Sequence, residues 1–356
     1  MIKIKIGKKI ISKFSRPYFI ADIGANHDGD IYRAFKLIEL AKESGADAVK
    51  FQNFKADKIV SKFGFDNLRN KSTHQSKWKK SVYEIYKDAS IKDSWNKKIK
   101  EKCDEFDIEY CTSPYDFESV DKVNKLVNVF KIGSGDITWH EIIEYISKKK
   151  KPVIIATGAS NLNQVKMAIE ILNKNTKEII LLQCNTNYTA SKNNFKFINL
   201  NVLKTYAKIF PNYILGLSDH TLGHSTILGA ISLGATVFEK HFSDDNSRIG
   251  PDHKFAMNSD SWKKMIQASL ELYDSLGDGI KRIENNEIQS RIVQQRSLRI
   301  KRNLSRGQII QFKDIEALRP CPRDSIMPFQ INKILGKKLK RDKKKGQHLV
   351  LKDFVI

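Results

Sequence analysis

The segment YILGLSDH at residues 213–220 and the segment ATVFEKH at residues 235–241 are short apolar runs that each end in a histidine. A helix-like stretch separates them. The pattern predicts two neighbouring parallel strands whose carboxyl ends present His220 and His241 to a common opening. Two neutral imidazoles leave most positions of a six-coordinate ion to water and substrate oxygens, which indicates a working metal site and not a closed zinc site. Either histidine alone is more typical of a strand cap that hydrogen-bonds the backbone, and it is their pairing that favours the metal site.

Apolar runs followed by polar residues occur eight times along the first 240 residues. Helical patterns with apolar residues three or four apart lie between them, for example at residues 32–44, 94–106, 161–172 and 226–233. This alternation predicts an α/β fold, a (β/α)8 TIM barrel with the parallel strands inside and the helices outside. The predicted strands are residues 18–21, 48–51, 108–111, 129–132, 153–156, 179–183, 214–217 and 237–239. The polar connection from residue 53 to about residue 94 predicts a loop over the barrel mouth and an extra helix, which would form a lid.

The segment GDGIKRIENNE at residues 277–287 is polar and marked by glycines, so it predicts a domain boundary. We expect a barrel domain at residues 1–285 and a small β-rich domain, with its linker, at residues 286–356. The turns at Arg306-Gly307 and Lys345-Gly346 predict two similar halves in the small domain. At the amino terminus, alternating apolar and charged residues predict a hairpin that turns at Gly7 and not a signal peptide.

Composition excludes several classes of protein. The chain has 356 residues, 40% hydrophobic residues, a net charge of +23 and a mean hydropathy of −0.44. No apolar stretch approaches the roughly 20 residues that a membrane helix needs, so we expect no membrane segment. The lysines are spread along the chain without a recognition motif, so we expect no nucleic-acid binding. The scattered cysteines, Cys103, Cys111, Cys184 and Cys321, favour a reducing cytoplasm over a disulfide framework.

Polar residues at the ends of the eight runs share one chemical theme. Lysines end the second and fourth runs, and hydroxyl groups end the third, fourth, sixth and seventh. Active sites of β/α barrels are built at the carboxyl ends of their strands, so these groups should converge on one mouth. Two lysines and several hydroxyl groups suit an anion that carries both phosphate and carboxylate, such as phosphoenolpyruvate. Any one of these residues alone is also typical of a solvated rim.

The chain resembles the N-acetylneuraminate (sialic acid) synthase or nonulosonic-acid synthase family over nearly its whole length. The motifs that carry the resemblance are IADIGANHDG (20–29), VKFQ (49–52), FKIGSGD (130–136), GLSDHT (216–221) and EKHFSD (239–244), with GPDH at residues 250–253. The last 65 or so residues resemble the family's antifreeze-like (SAF, β-clip) domain. The resemblance implies an enzyme that condenses phosphoenolpyruvate with an N-acyl amino sugar to give a nine-carbon α-keto acid and phosphate. It also implies a homodimer in which the SAF domain of one subunit caps the barrel of the other.

The resemblance assigns roles residue by residue. His220 and His241 would bind a divalent metal, expected to be Mn²⁺ with Mg²⁺ or Co²⁺ as alternatives. A catalytic role would fall to Asp22, Lys50, Asp136 and His241. Substrates would be bound by Gln52, Thr112, Lys131, Ser134, Thr186, Tyr188, Ser218, Asp252 and Arg319. Among these, Arg319 would reach the sugar in the neighbouring subunit, where its planar guanidinium suits an N-acyl oxygen.

Three positions depart from the family pattern. Asp22 and Asp136 stand where many members have Glu, and Thr186 stands where Asn is common. We interpret the shorter carboxylates as a sign of a different sugar, such as a diacetamido hexose that leads to legionaminic- or pseudaminic-type products. Two other functions stay open at this point: a phosphoenolpyruvate-dependent synthase of 3-deoxy sugar acids, and a non-catalytic carbohydrate-binding protein on the same scaffold.

Overall fold

The computed structural model describes residues 2–68, 75, 78 and 80–355. Its first unit is a closed barrel of eight parallel strands, each hydrogen-bonded to the next in chain order, with the last strand paired to the first. The TIM barrel predicted from the sequence is thus confirmed, and all eight predicted strands are present. The strands are β3 (Tyr18–Asp22), β4 (Ala48–Asn53), β5 (Glu109–Pro114), β6 (Phe130–Ile132), β7 (Val153–Ala156), β8 (Ile179–Cys184), β9 (Ile214–Asp219) and β10 (Val237–His241).

Helices surround the barrel, and polar side chains begin several of them. Asp30 accepts a hydrogen bond from the backbone of Tyr32 at the start of the first helix, and Asn161 forms a capping box with Gln164 at the start of the eighth. The helices of this unit are α1 (Ile31–Glu43), α2 (Ala56–Ile59), α3 (Lys62–Asp66), α4 (Val82–Ala89), α5 (Asp93–Glu105), α6 (Phe117–Asn124), α7 (His140–Ser147), α8 (Leu162–Asn173), α9 (Val202–Ile209), α10 (Ser225–Ser232) and α11 (Ser259–Leu276). Within the described part of the chain, none of the helices is long and apolar enough to cross a membrane.

Strand alternation divides the core into two layers. One buried cluster, which includes Phe19, Val49 and Phe238, packs between the strands and the helices. The other, which includes Ile20, Ile154 and Ile180, fills the barrel interior. Successive residues of each strand therefore alternate between the helix layer and the interior, and this alternation decides which side chains can reach the barrel mouth.

An antiparallel hairpin closes the amino-terminal end of the barrel. It consists of β1 (Lys3–Ile6) and β2 (Lys9–Ser12) and turns at Gly7, whose φ of +56° is costly for a residue with a side chain. Ile4, Ile6 and Ile11 are almost fully buried and belong to the interior cluster. The hairpin predicted from the alternating sequence is confirmed, and it forms the floor of the barrel.

The connection between β4 and α5 contains α2, α3 and α4, so the predicted extra helix is present. Part of this connection, residues 69–74, 76, 77 and 79, lies outside the described residues. Ile59, Ile85, Tyr86 and Ala89 from the described part line the cavity at the barrel mouth. The connection therefore contributes a wall to the cavity, as expected of a segment that covers the mouth.

The second unit spans Asp278–Ile356, so the division falls after Gly277 and not at residue 285 as predicted. Gly277 ends α11, and the polar residues that follow group with the second unit. That unit contains α12 (Ile288–Gln294) and an antiparallel pair of β11 (Ser297–Ile300) and β12 (Ile315–Leu318) around its own apolar core.

The predicted two similar halves of the second unit are visible in its hydrogen bonds. Arg302 pairs with the buried Asp314 in one half, and Arg341 pairs with the buried Asp353 in the other. The halves meet where the backbone N–H groups of Leu304 and Lys343 each donate to the other residue's carbonyl oxygen at 2.8 Å. Equivalent contacts thus recur at equivalent positions.

Candidate active site

A cavity of about 390 Å³ opens at the carboxyl ends of the barrel strands. Interior positions of the strands supply its polar floor, and the loops that follow the strands supply its rim. Of the residues singled out from the sequence, it is lined by Asp22, Lys50, Gln52, Lys131, Ser134, Asp136, Tyr188, Ser218, His220, His241 and Asp252. The structure thus brings together 11 of the 14 predicted site residues in one place.

Two lysines and two carboxylates form a buried cluster on the cavity floor. Lys50 Nζ lies 2.7 Å from Asp22 Oδ2 and 2.9 Å from Glu239 Oε1. Lys131 Nζ lies 3.4 Å from the same Glu239 oxygen. All four side chains are at most 4% exposed, so the pairs are held away from bulk water. Charges buried this deeply are costly for folding, which is typical of groups kept for function.

The cluster shifts the pKa of each of its members. Burial opposes ionisation of Glu239, but Lys131 and Lys50 hold its pKa well below the ordinary value. Burial raises the pKa of Asp22 against the lowering effect of Lys50. Burial also favours a neutral Lys50, yet Asp22 and Glu239 raise its pKa well above the ordinary value. Lys131 has only one close carboxylate, so burial lowers its pKa. Lys50 therefore stays positively charged on the cavity floor near neutral pH.

The two histidines lie side by side above this cluster. Their ring centroids are 5.5 Å apart, and Tyr188 packs edge-on against His220 at 4.4 Å. Burial lowers the pKa of His220 and of His241 to about 4, so both rings are neutral near pH 7. Their neutral form is the one that binds metal ions.

Hydrogen bonds show which ring nitrogens are available. His220 Nδ1 lies 2.8 Å from the carbonyl oxygen of Asn185, which can only accept, so Nδ1 carries the proton and Nε2 keeps its lone pair. His241 Nε2 is 3.3 Å from Asp22 Oδ2, and its buried Nδ1 has no hydrogen-bond partner. A backbone carbonyl that orients an imidazole through its second nitrogen is typical of histidine metal ligands. Among residues 2–68, 75, 78 and 80–355, however, no group of three His, Cys, Asp or Glu side chains is placed to hold an ion.

The loop after β3 approaches His241 closely because of a glycine. Gly24 has a φ of +50°, and a Cβ there would lie 2.7 Å from Asp252 Oδ2 and 3.3 Å from His241 Cε1. Asp252 Oδ2 accepts a hydrogen bond from Ala25 N at 3.0 Å and lies 3.7 Å from His241 Nδ1. Any larger residue at position 24 would displace one of these two side chains.

Hydroxyl groups and a further carboxylate also line the cavity. Ser134 Oγ accepts a hydrogen bond from Gly158 N at 2.9 Å, and Ser218 Oγ donates one to Glu239 at 3.0 Å. Burial raises the pKa of Asp136 to about 6, against the lowering effect of Lys131. Asp136 is therefore able to exchange a proton near neutral pH.

Three predicted residues are absent from the cavity lining, and two of them, Thr112 and Thr186, belong to the barrel unit. Thr112 points to the helix layer, where its hydroxyl donates to Phe51 O at 2.9 Å and to Asn53 Oδ1 at 2.6 Å. Its neighbour Ser113 occupies the interior position, and Ser113 Oγ is buried without a hydrogen-bond partner. The hydroxyl that β5 directs to the barrel interior is therefore that of Ser113. Thr186 is half-buried beside Gly158 and is absent from the cavity lining.

Arg319 belongs to the second unit, where it is exposed and precedes a cis peptide bond to Pro320. Its predicted contact with sugar in another subunit stays a prediction. In the barrel, sequence reasoning missed Glu239 as a site residue, although it contacts both lysines. A signal was present: Glu239 stands two residues before His241 on one strand, so strand alternation places both on the same face.

A closed β/α barrel with buried ionisable groups at the carboxyl ends of its strands has the architecture of a barrel enzyme. The chain matches the NeuB family over residues 37–281 and the SAF domain over residues 295–355. It therefore belongs to the NeuB family, with a SAF domain at its carboxyl-terminal end.

Named relatives agree with this assignment. The N,N'-diacetyllegionaminic acid synthase of Legionella pneumophila is 34% identical over 346 residues, which cover 94% of this chain and 93% of that protein. The pseudaminic acid synthase of Campylobacter jejuni is 29% identical over 340 residues, which cover 95% and 96%. The crystal structure of an N-acetylneuraminic acid (sialic acid) synthetase from Leptospira borgpetersenii in complex with citrate has the same fold, with a TM-score of 0.70, 23% identity and coverage of 81% of this chain and 95% of that chain. The chain is thus an enzyme whose named relatives are synthases.

Proposed function

We propose that this enzyme condenses phosphoenolpyruvate with an N-acyl amino sugar to give a nine-carbon α-keto acid and phosphate. The observation that carries the proposal is the placement of Lys50 and Lys131, paired with buried carboxylates, beside two neutral imidazoles in one cavity. The lysines supply cations for the phosphate and carboxylate of phosphoenolpyruvate. The imidazoles and the loop carboxylates face the rest of the cavity, where the sugar aldehyde would react.

The charge of the cavity floor supports a requirement for an added cation. Lys50 and Lys131 carry two positive charges, and Asp22 and Glu239 carry two negative charges, so these four groups together are close to neutral when ionised. Phosphoenolpyruvate carries several negative charges. A neutral floor attracts such an anion weakly, and a bound divalent ion would supply the missing positive charge.

His220 and His241 fit a divalent ion of the Mn²⁺ type, with Mg²⁺ or Co²⁺ as alternatives. The support is the oriented His220 ring, whose Nε2 lone pair is available, and the buried His241 Nδ1, which lacks a hydrogen-bond partner. With only two protein ligands, water and substrate oxygens would complete the coordination shell. When bound, such an ion acts as a Lewis acid towards an aldehyde oxygen.

The remaining roles follow the family resemblance, and the cavity lining is consistent with them. We assign Lys131 and Ser134 to phosphoenolpyruvate and Gln52, Tyr188 and Asp252 to the sugar, as the resemblance implies, and all five line the cavity. Asp22 and Asp136 would hold or move protons near the reacting carbons, and the raised pKa of Asp136 suits that task. Ser113 replaces Thr112 as the proposed hydroxyl contribution of β5.

We propose a diacetamido hexose as the sugar. Two points support it: Asp stands at positions 22 and 136, where the family resemblance implies Glu, and the two curated relatives named above, at 34% and 29% identity, are synthases of legionaminic and pseudaminic acids. The homodimer with SAF domains that cap partner barrels, the contact made by Arg319 and a cytoplasmic location remain predictions drawn from the family resemblance.

Phosphate release tests the proposal. The enzyme is incubated with phosphoenolpyruvate, Mn²⁺ and either N-acetylmannosamine or diacetamido hexoses, with and without a chelator. We expect sugar-dependent phosphate release that the chelator abolishes, with the highest kcat/KM for a diacetamido hexose. Release with sugar phosphates only would favour a 3-deoxy sugar-acid synthase, and a clear preference for N-acetylmannosamine would refute the diacetamido assignment.

His241→Ala separates an enzyme from a sugar-binding protein. We expect the variant to lose turnover by at least about 100-fold, because it removes one of two proposed metal ligands. Mn²⁺ titration by calorimetry, without substrates, should show weakened binding. His140→Ala is the matched control, since His140 does not line the cavity. Unchanged turnover and Mn²⁺ affinity in a folded His241→Ala protein would contradict the metal assignment.

A further inference from the structure

We propose that His253 is a positioning residue that holds Asp252 at the sugar side of the cavity. It does so through a hydrogen-bonded clasp, defined here as Asp28, Ser243 and His253. The proposal rests on the proposed function for the sugar-facing role of Asp252, whereas the clasp itself is a property of the fold. The clasp ties the loop after β10 to the loop after β3, and both loops border the cavity.

His253 is fully buried and both of its ring nitrogens are in hydrogen-bonding contact. Nδ1 lies 2.7 Å from Ser243 Oγ, and Nε2 lies 2.9 Å from Asp28 Oδ1. The carboxylate can only accept, so Nε2 carries a proton and donates to it. A residue in the loop after β10 is thereby fixed to a residue more than 200 positions earlier in the chain.

Arginines strengthen the Asp28 side of the clasp. Arg248 Nη2 lies 2.8 Å from Asp28 Oδ2, and Arg33 Nε lies 3.1 Å from the same oxygen. Arg33 also donates to Asp244 at 2.8 Å, which adds a second tie between the two loops. On the opposite side, Asn246 Nδ2 donates to the carbonyl oxygens of His253 and Ala256, at 2.8 and 2.7 Å. The backbone around His253 is therefore held from several directions.

Asp252 immediately precedes His253, so the clasp fixes the residue that carries the cavity carboxylate. Asp252 Oδ2 accepts from Ala25 N at 3.0 Å and lies 3.7 Å from His241 Nδ1. Loss of the clasp would free the loop to move by distances that matter for substrate contacts, because errors of about 1 Å can lower rates severely.

The Asp28, His253 and Ser243 arrangement resembles the triad of serine hydrolases, but its surroundings exclude that chemistry. Ser243 is fully buried, and neither Ser243 nor His253 lines the cavity. A nucleophile needs access to its substrate. The hydrogen bonds here serve position and not bond cleavage.

Variants at position 253 can separate the two hydrogen bonds. Glutamine places its side-chain nitrogen near the position of Nε2 and can keep the bond to Asp28, whereas asparagine reaches only the position of Nδ1 and the bond to Ser243. We expect His253→Gln to keep the KM for the sugar within about threefold of wild type. We expect His253→Asn and Asp28→Ala to raise the KM for the sugar by roughly tenfold or more. The first variant loses the hydrogen bond to the Asp28 carboxylate, and the second loses the carboxylate itself. The KM for phosphoenolpyruvate should stay unchanged in all three variants.

Two further measurements keep the test decisive. His140→Asn is the control for loss of a histidine outside the cavity and the clasp, and thermal denaturation checks that each variant folds. Amide hydrogen exchange over residues 242–258, measured without substrates, should rise in His253→Asn and Asp28→Ala but not in His253→Gln. The double variant Asp28→Ala/His253→Asn should show no larger effect than either single change.

Three results would contradict the positioning role of His253. Folded His253→Asn with wild-type sugar KM, or equal KM increases for both substrates, would contradict it, as would unchanged exchange in the loop. If the wild-type enzyme releases no phosphate with any sugar, the proposed function fails, while the exchange experiment still decides whether the clasp holds the loop.

Discussion

The barrel floor, which is the end of the interior closed by the hairpin, and the barrel mouth use the same strands but opposite chemistry. The charged floor of the cavity belongs to the mouth. Near the barrel floor, the interior positions are almost all apolar and, with the hairpin isoleucines, form one buried cluster: Tyr18, Ile20, Ala48, Cys111, Val129, Ile154, Ile180, Ile214 and Val237. One interior position later along several of the same strands stand Asp22, Lys50, Ser113, Lys131 and Glu239. Burial of apolar groups stabilises a fold, whereas burial of charges costs free energy unless they are paired. The barrel floor therefore stabilises the fold, and the buried charges at the mouth lower that stability.

The largest expected effect tests the mouth. Lys131→Met should lower kcat/KM for phosphate release by about 100- to 1000-fold, since it removes a buried donor positioned for an anionic group. The loss of stability should be small, because Glu239 keeps its closer ion pair with Lys50 at 2.9 Å. Steady-state kinetics and urea denaturation measure the two quantities. Lys97→Met, at an exposed lysine, is the control, and a Lys131→Met enzyme with full activity would remove Lys131 from the site.

The next effect tests the floor. Ile180→Ala should lower the free energy of unfolding by about 2–5 kcal/mol, because Ile180 is fully buried in the interior cluster and truncation leaves a cavity. Activity per folded molecule should remain near wild type. Ile180→Val, expected to cost about 0.5–1.5 kcal/mol, provides the graded control. A large loss of kcat in a folded Ile180→Ala protein would show that floor and mouth are not separable.

The smallest effect concerns pH at the mouth. Burial raises the pKa of Asp136 to about 6, above its ordinary value of 3.8, so the folded state disfavours the ionised form. The free energy of unfolding therefore decreases as pH rises from about 4 through 6, and the full decrease is present above pH 6. Asp136→Asn should stabilise the protein by about 1–3 kcal/mol at pH 8 and by little at pH 4, since a pKa of about 6 in place of 3.8 corresponds to at most about 3 kcal/mol.

Urea denaturation at both pH values checks this prediction, with Asp274→Asn on an exposed position of α11 as the control. Because we assign Asp136 a catalytic role as a carboxylate, wild-type turnover should also fall as pH drops below about 6. Equal stabilisation at pH 4 and pH 8 would show that ionisation of Asp136 is not the cause.

The sequence was sufficient for the barrel because hydrophobic runs, helical periods and short connections all agree with one architecture. It was sufficient to predict that Lys50, Lys131, His220 and His241 lie at one opening, because residues at strand ends converge in any such barrel, while their roles stay predictions. It was not sufficient for Thr112, since choosing between two adjacent hydroxyls requires the strand register. A slip of one residue exchanges the interior for the helix layer.

Glu239 illustrates a different limit. A glutamate inside an apolar run is visible in the sequence. Its place in the site depends on its contacts with Lys50 and Lys131, which lie on other strands. The domain boundary was placed eight residues too late for a similar reason. The polar residues after Gly277 carry no periodicity that assigns them to either side, and only their contacts place them in the second unit.

The hairpin floor has a consequence for biosynthesis. Ile4, Ile6 and Ile11 leave the ribosome before the barrel strands, and the barrel that buries them closes only when β10 is made, about 230 residues later. At ordinary translation speeds of about 5–20 residues per second, this delay is on the order of 10–50 s. Throughout that time the nascent chain exposes this apolar segment, where chaperones that recognise exposed isoleucines can bind it.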